Sequence, residues 1–327
     1  MTWMLFLLTA GIIVAGGARL ALHGDAIGRL SGLRSTWVGT ILLAATTSLP
    51  ELFTGFAATV RGEYPDIAVG DVLGSCMFNL LILSMMDAVQ PLRLSARAHQ
   101  GHTLAIALGA MLISIAGLGL LEAPRFPSLA HVGLPSLVLI GSYVAAVRVT
   151  LAAEAGRVPE EAPATREADP PLRRVVRQYV FAAMFVVAGA GALALPTLAA
   201  QIADDLGLSQ ALIGSVLVAL TTSLPEIVVS LAAVRMGAVA LAIGNVLGSN
   251  VFHLFILGLD DVVYRPGPLL SHVSPEHLVS VLAVLLIYAI FLVGVTQHVA
   301  TKRFRIGWDS AALAFVYGIA VWLTARP

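Results

Sequence analysis

Charge is scarce in this sequence, since Asp, Glu, Lys and Arg together make up only 12% of its 327 residues. Soluble domains carry roughly 25% charged residues, which they need to cover their surface. Hydrophobic residues make up 58% of the chain, and the mean hydropathy is +0.91. The sequence therefore predicts an all-α polytopic membrane protein rather than a soluble one.

Other absences narrow the range of functions. Cys76 is the single cysteine, which excludes an internal disulfide and a metal site made of several cysteines. The formal net charge is zero, so nothing indicates a nucleic-acid partner. A phosphate-binding loop that ends in Lys is missing, as is a His-Glu-x-x-His zinc sequence. We therefore expect no ATP, no cofactor and no catalytic residues.

Ten apolar runs are each close to the ~20 residues that a helix needs to cross the bilayer. Their approximate bounds are 3–22, 36–60, 66–88, 101–121, 129–151, 177–199, 210–234, 238–260, 276–298 and 308–325. The stretch 154–176 is rich in proline and mixed charge, which predicts a solvated linker. The predicted organisation is a five-helix repeat at 1–153, the linker at 154–176, and a second five-helix repeat at 177–327.

The positions of the basic residues predict the orientation. With the N-terminus outside, most of the 19 Lys and Arg residues fall in cytoplasmic loops. Both termini are therefore predicted to lie outside and the linker in the cytoplasm, with the protein in the plasma or inner membrane of the cell. The lipid bilayer is then one partner, and the oligomeric state stays open.

One short sequence occurs twice. Thr-Thr-Ser-Leu-Pro-Glu stands at 46–51 and again at 221–226, and each copy is followed by a Gly-rich block, at 70–79 and 244–253. The copies fall on the second and third spans of each half. Because equivalent spans are five crossings apart, an odd number, the copies must run in opposite directions through the membrane. This predicts two inverted five-helix repeats, with the two motifs face to face near the midplane.

The repeated motifs also predict broken helices. Pro50 and Pro225 each remove a backbone donor and clash with the preceding turn, and the glycines of the following blocks allow bends or close approach. Broken helices at membrane depth are tolerated where they are buried in protein or line a watery cavity. We therefore expect spans 2, 3, 7 and 8 to be broken and to form the core.

The motifs are rich in hard oxygen ligands, which suit Na⁺, Ca²⁺ or Mg²⁺. Glu51 and Glu226 supply carboxylates, and the hydroxyl groups come from Thr47, Ser48, Ser75, Thr222, Ser223 and Ser249. The alternative is that proline only kinks the spans and the small residues only pack helices. Two matching carboxylates in opposed spans make that alternative weak, because intramembrane carboxylates are costly and usually functional.

The pair of motifs resembles the two alpha repeats of the sodium/calcium exchanger superfamily of cation/calcium antiporters, and the ten-span layout is similar throughout. The resemblance implies that Glu51 and Glu226 bind Ca²⁺ and share Na⁺ sites. It adds the hydroxyl groups named above and the backbone carbonyls of Ala44 and Ala219. It also implies alternating access, in which the first span (Trp3–Leu22) and the sixth (Arg177–Ala199) slide over the other eight.

The sequence departs from the family pattern at two places. Four residues after the Gly-Ser serine, the family often has Asn in the first repeat and Asp in the second, whereas this chain has Asn79 and His253. An imidazole favours softer metals or protons over Ca²⁺. The Gly-Asn pair that opens the block is kept at Asn245, but the first repeat has Asp71 instead. Asp71 either restores the lost charge or is a structural carboxylate nearer the membrane surface, and both it and Asn245 are accessory candidates.

The predicted function is secondary antiport of Ca²⁺, or a similar divalent cation, against Na⁺. The alternative is proton-coupled exchange in which His253, Glu51 or Glu226 carries the proton. An intramembrane enzyme and a channel are less favoured. The carboxylates near predicted span ends are expected to be solvated: Glu63, Asp66, Asp87, Asp260 and Asp261.

Overall fold

A computed structural model shows a mostly helical chain. It describes residues 15–16, 19–20, 22–24, 26–27, 30, 38–60, 64–122, 125–155, 170–189, 195–297 and 299–325. Most of the predicted first span, which begins at Trp3, lies outside the described residues. The same holds for most of the predicted linker at 154–176.

The described part of the first half contains five helices that coincide with predicted spans 2 to 5. They are α1 (Val38–Thr47), α2 (Leu49–Val60), α3 (Pro65–Val89), α4 (Gln100–Glu122) and α5 (Leu134–Ala155). A 3-10 turn, Ser95–Arg97, joins α3 to α4. Between α4 and α5 lies a small antiparallel hairpin of β1 (Ser128–Leu129) and β2 (Val132–Gly133), with Ser128 opposite Gly133.

The second half repeats this order. Its described helices are α6 (Leu172–Gly189), α7 (Leu195–Leu206), α8 (Gln210–Thr222), α9 (Leu224–Arg235), α10 (Val239–Val263), α11 (His277–Gln297) and α12 (Trp308–Thr324). A 3-10 turn, Leu269–Ser271, follows α10. The predicted sixth span, 177–199, overlaps most of α6 and the first five residues of α7, which continues to Leu206. Residues 190–194 between the two helices lie outside the described part.

Several of these helices suit a membrane. By length and composition, five described helices could cross one: α3, α4, α10, α11 and residues 134–152 of α5. The count rises to seven if each of the pairs α1/α2 and α8/α9 forms one bent span. Helix α12 is apolar but shorter. These helices support an integral membrane protein, and the full set of ten spans stays a prediction.

Helices α3 and α10, which carry the Gly-rich blocks, lie at the centre of the molecule. The apolar window of α3 is 94% buried and that of α10 is 89% buried, whereas the window of α5 is only 22% buried. Outer helices present large apolar side chains such as Leu282 on α11 and Phe315 on α12, which are 65% and 68% exposed. Lipid can cover such side chains, so the motif helices form the interior and the others face the bilayer.

The predicted breaks in spans 2 and 7 are confirmed. Helices α1 and α2 meet at Ser48 with a bend of 41°, and α8 and α9 meet at Ser223 with a bend of 44°. Pro50 and Pro225 stand in the first turn after each break, where they lack the N–H that would continue the preceding helix.

The predicted breaks in spans 3 and 8 are wrong, because α3 and α10 are each one continuous helix of 25 residues. Their glycines serve close packing instead. A Cβ atom built on Gly74 would lie 2.5 Å from Cα of Ser215, and one on Gly248 would lie 2.6 Å from Cα of Thr40. Thr40 and Ser215 belong to π-helical stretches, Val38–Leu43 and Gly214–Val218, so each half's π-helix crosses the other half's glycine helix.

Candidate cation site

The two motif carboxylates sit at helix starts. Glu51 lies in the first turn of α2 and Glu226 in the first turn of α9, directly after the two breaks. Backbone N–H groups at a helix N-terminus favour negative charge, so the breaks create a suitable place for each carboxylate. Both side chains are fully buried.

The break residues bond across the two halves. Ser48 Oγ donates to Glu226 Oε1 at 2.9 Å, and Ser223 Oγ donates to Glu51 Oε1 at 3.2 Å. Each serine therefore fixes the carboxylate of the opposite half. This exchange brings the two copies of the motif face to face.

The serines of the Gly-Ser pairs bond within their own half. Ser75 Oγ donates to Glu51 Oε1 at 3.5 Å, and Ser249 Oγ donates to Glu226 Oε1 at 3.3 Å. Among the described residues, Oε2 of each glutamate has no hydrogen-bond partner. Because an unpaired buried carboxylate oxygen is costly, these two atoms are the most available ligands of the cluster.

Thr47, in the first copy of the motif, contacts this cluster through residues of the second half. Thr47 Oγ1 lies 3.4 Å from both Asn245 Oδ1 and Ser249 Oγ. It also lies 3.3 Å from the carbonyl oxygen of Ala44, which Ser249 Oγ approaches to 3.5 Å. The predicted carbonyl of the first repeat is therefore part of the cluster.

Thr222, the counterpart of Thr47 in the second copy of the motif, has equivalent contacts with the first half. Thr222 Oγ1 donates to Asp71 Oδ1 at 2.8 Å and lies 3.5 Å from Ser75 Oγ and 3.3 Å from the carbonyl oxygen of Ala219. Asp71 is fully buried. Asp71 therefore contacts the cluster through Thr222, and both alternatives for its role stay predictions.

His253 completes a group of three potential metal ligands. Its Nε2 atom is 3.7 Å from Glu51 Oε1, and its Nδ1 atom is 3.9 Å from Sγ of Cys76. One ligand atom from each of Glu51, Glu226 and His253 lies within 4.8 Å of the others. Nε2 has no hydrogen-bond partner among the described residues, so it is available to a metal or a proton.

Asn79 is bonded to α10 through its amide nitrogen, while its Oδ1 atom is buried with no hydrogen-bond partner among the described residues. Its Nδ2 atom donates to Asn250 Oδ1 at 3.0 Å, and Asn250 Nδ2 donates to the carbonyl of Cys76 at 3.1 Å. These bonds tie α3 to α10 beside the cluster. Sequence reasoning missed Asn250, although it stands next to Ser249 in the repeated block.

The predicted solvation of three span-end carboxylates is wrong. Asp87, Asp260 and Asp261 are each at most 1% exposed. Asp87 Oδ1 accepts from the N–H of Leu94 at 2.7 Å, and Asp261 Oδ1 accepts from the N–H of Leu269 at 2.6 Å. The loops after α3 and α10 fold back onto these carboxylates, which explains their burial.

Asp87 and Asp66 also have cationic or potentially cationic partners. Lys302 Nζ lies 3.0 Å from Asp87 Oδ1. Asp66 is only partly buried and accepts from the N–H of Ser274 at 2.7 Å, with Nε2 of His277 at 3.0 Å. These groups fasten loops to helix ends, and Glu63 lies outside the described residues.

Comparisons with known proteins show which sequences this chain resembles. The family model described as sodium/calcium exchanger protein matches residues 1–152 and 178–326. A membrane protein of Methanocaldococcus jannaschii is 26% identical over 325 residues, which covers 97% of this chain and 95% of the relative. The sodium/calcium exchanger MaX1 of Methanosarcina acetivorans is 49% identical over 63 residues, or 19% of this chain and 18% of the relative.

The fold is also found among solved structures. A structure of the sodium-calcium exchanger NCX_Mj, soaked with Na⁺ and no Ca²⁺, superposes with a TM-score of 0.71. The match covers 98% of both chains at 21% sequence identity. At this identity the likeness shows a shared fold.

Proposed function

This chain belongs to the sodium/calcium exchanger protein family, and from that membership we propose that it exchanges Ca²⁺, or a similar divalent cation, for Na⁺ across the membrane. Members of the family are transporters rather than enzymes, which removes the intramembrane enzyme from the alternatives. In the proposed antiport the Na⁺ gradient drives the movement of the divalent cation, so neither a channel nor ATP is part of the proposal.

The observation that carries this proposal is the pair of crossed hydrogen bonds at the carboxylates. Ser48 and Ser223 each hold one oxygen of the opposite glutamate, and the second oxygen of each glutamate is left without a partner among the described residues. A divalent cation in a buried site needs nearby negative charge to offset its lost hydration. Glu51 and Glu226 supply that charge, and Asp71 adds a further carboxylate beside them.

The remaining proposed ligands are the atoms that surround these two carboxylates. Thr47, Thr222, Ser75 and Ser249 offer hydroxyl oxygens, and Ala44 and Ala219 offer carbonyl oxygens. All of them fall in one buried cluster. Na⁺ and Ca²⁺ both prefer such oxygen ligands, so one set of atoms can serve both ions in turn.

Alternating access is the proposed mechanism, with the first and sixth spans sliding over the rest. The structure describes part of the sixth span as α6, where the hydroxyl of Tyr179 lies 2.7 Å from Thr46 Oγ1 and 3.0 Å from the carbonyl of Leu42. A sliding span would exchange these contacts. The proposal includes ten helices in two inverted repeats, at 1–153 and 177–327, with both termini outside and the linker in the cytoplasm.

The experiment is transport by purified protein in proteoliposomes. We expect a Na⁺ gradient to drive Ca²⁺ uptake and Glu51→Gln or Glu226→Gln to lower the rate by at least about tenfold, equal to about 1.4 kcal/mol. Glu122→Gln is the matched control, because it removes the same charge from an exposed residue. Near-normal exchange in both single variants would exclude these glutamates as central ligands.

Proton-coupled exchange remains the second candidate, and one observation favours it. His253 stands where the family often has a carboxylate, and its Nε2 atom lies 3.7 Å from Glu51 Oε1. The same proteoliposomes, given a proton gradient as the only driving force, distinguish the two candidates. Ca²⁺ uptake driven by protons but not by Na⁺ would replace the first candidate with the second.

A further inference from the structure

Asp260 is a buried carboxylate that belongs to neither repeated motif. It lies on α10, is 1% exposed, and its Oδ2 atom has no hydrogen-bond partner among the described residues. Seven residues, or about two helical turns, separate it from His253. Residues seven apart share one face of a helix, so Asp260 lies on the face of α10 that carries His253.

The carboxylate of Asp260 packs directly against Gly55 of α2. A Cβ atom built on Gly55 would lie 2.7 Å from Asp260 Oδ1 and would also collide with Oδ2. Gly55 follows Glu51 by four residues, which places it one turn further along the same face of α2. The absence of a side chain at Gly55 therefore creates a seat for the Asp260 carboxylate, about one turn beyond the central cluster.

A second unpartnered polar group lies on the same turn of α2. Thr54 is fully buried, and its hydroxyl has no hydrogen-bond partner among the residues that the structure describes. Asp71, also fully buried, lies one turn before Ser75 on α3 and accepts from Thr222 Oγ1 at 2.8 Å. Carboxylates and a hydroxyl therefore continue from the central cluster towards the end of α10 at Val263.

The repeat provides an internal comparison, because the equivalent positions in the other half are not polar in the same way. In the register that aligns the two motifs, Thr54 corresponds to Val229 and Asp260 corresponds to Met86. Asp71 corresponds to Asn245, which carries no charge. Ser230 stands at the position of Gly55 and accepts from Asn245 Nδ2 at 3.2 Å, so the other half is polar there but carries no charge at these aligned positions. A buried charge is costly, so the carboxylates of Asp71 and Asp260 indicate a function that the symmetric cluster does not supply.

We propose that Asp260 and Thr54 form a second cation subsite, between the central cluster and the face of the membrane at which α10 ends. A divalent cation moving between that face and Glu51 would pause there, bound by one carboxylate and one hydroxyl, with water completing its coordination. In the predicted orientation this face is the outer one. The subsite rests on the proposed function, since it serves the same transported cation.

Three variants test the subsite in different ways. Asp260→Asn removes the charge, Thr54→Val removes the hydroxyl at nearly constant shape, and Gly55→Ala fills the seat while the carboxylate remains. Two controls match them. Thr59→Val removes a hydroxyl that already donates to the Gly55 carbonyl at 2.8 Å, and Gly141→Ala adds a methyl group where nothing lies within 4 Å.

The measurement is the half-saturating Ca²⁺ concentration for exchange in proteoliposomes, determined separately at each face. We expect Asp260→Asn and Gly55→Ala to raise it by about tenfold at the face where α10 ends, with a smaller rise for Thr54→Val. The opposite face and both controls should match the wild type. No change at either face, or an equal rise at both, would overturn the subsite, because an equal rise indicates a purely structural carboxylate.

A binding measurement separates this proposal from the proposed function. If the wild type shows no exchange, the proposed function fails, and Ca²⁺ titration of the purified protein then decides the subsite. We compare the wild type with Asp260→Asn, and Gly141→Ala is again the control. About tenfold weaker Ca²⁺ binding in Asp260→Asn supports the subsite, and binding identical to that of the wild type, or no binding by either protein, overturns it.

Discussion

At the scale of single residues, each central glutamate divides its two oxygens between two tasks. Oε1 accepts hydrogen bonds from two serines, which fixes the orientation of the carboxylate. Oε2 has no hydrogen-bond partner among the described residues, so its loss of hydration is not offset by a protein contact. The serines therefore position the carboxylate, and the second oxygen is left to bind a cation.

His253 gives the sharpest prediction at this scale. His253→Asp should raise Ca²⁺ affinity by about tenfold, because a third carboxylate beside Glu51 adds charge that the imidazole does not supply. His253→Asn should leave the affinity near that of the wild type. The measurement is the preference of each variant for Ca²⁺ over a softer divalent ion such as Cd²⁺, determined by competition. His253→Asp should shift this preference towards Ca²⁺.

The same ion preference in all three proteins would contradict this prediction. In that case the imidazole fills space beside Cys76 and takes no part in binding. The folded state of each variant is checked first, by its thermal unfolding in detergent, so that loss of binding is not confused with loss of structure.

Most of the residues that the sequence predicted for the site occur in both repeats. Glu51, Ser48, Ser75 and their counterparts come together because residue type and repetition both marked them. Thr54 and Asp260 occur in one half only, so repetition gave no signal for them. The burial of Asp87 was also unpredictable, since position near a span end does not reveal that a loop folds back over it.

At the scale of elements, the central crossing depends on glycine. The π-helical stretch of each half passes over a glycine helix of the other half, and backbone atoms meet where Gly74 and Gly248 lack side chains. π-Helical turns inside helices are rare and are found frequently at functional sites. Here only four α-helical residues, about one turn, separate each π-helical stretch from the break at Ser48 or Ser223, so the crossing and the break form one unit.

Gly74→Ala and Gly248→Ala should each destabilise the protein by about 1–3 kcal/mol, because the new methyl group would press on the backbone of the crossing helix. Thermal unfolding in detergent measures the effect. Gly141→Ala is the control, since a Cβ atom there has no neighbour within 4 Å. An unchanged melting temperature for Gly74→Ala would show that the crossing can widen freely.

The sequence located the elements well but did not reveal the role of these glycines. Proline in the middle of an apolar run has one main consequence, so the breaks in spans 2 and 7 could be predicted. Glycine permits both a bend and a close approach. Only the helix that crosses at Gly74 and Gly248 decides between them, and that helix comes from the other half of the chain.

At the scale of the whole molecule, the two halves are related by an exchange of partners. Glu51 accepts from Ser223, and Glu226 accepts from Ser48 in the same way. Likewise, Thr222 donates to Asp71, and its counterpart Thr47 contacts Asn245. The exchange departs from symmetry where charge is added, at Asp71 and Asp260. The site is therefore built by a symmetric scaffold, while its charge is concentrated towards one end.

The inverted arrangement makes a prediction about the two loops that follow α3 and α10. Arg97→Cys and Arg265→Cys introduce thiols at exposed, equivalent loops. An impermeant maleimide applied to whole cells should label Arg265→Cys and not Arg97→Cys, because the proposed inversion places the two loops on opposite faces of the membrane. Cys76 is buried and should contribute little background.

Permeabilised cells provide the control, since both variants should then be labelled. Labelling of both variants in intact cells would contradict the odd number of crossings between the two repeats. Labelling of Arg97→Cys alone would keep the inversion and reverse the orientation.

The crossed hydrogen bonds also bear on how the protein is made. Glu51 is translated early, but Ser223, which donates to its carboxylate, follows 172 residues later in the chain. A chain that ends before residue 223 lacks the serine that donates to Glu51. The crossed hydrogen bonds therefore form only after segments far apart in the sequence have come together.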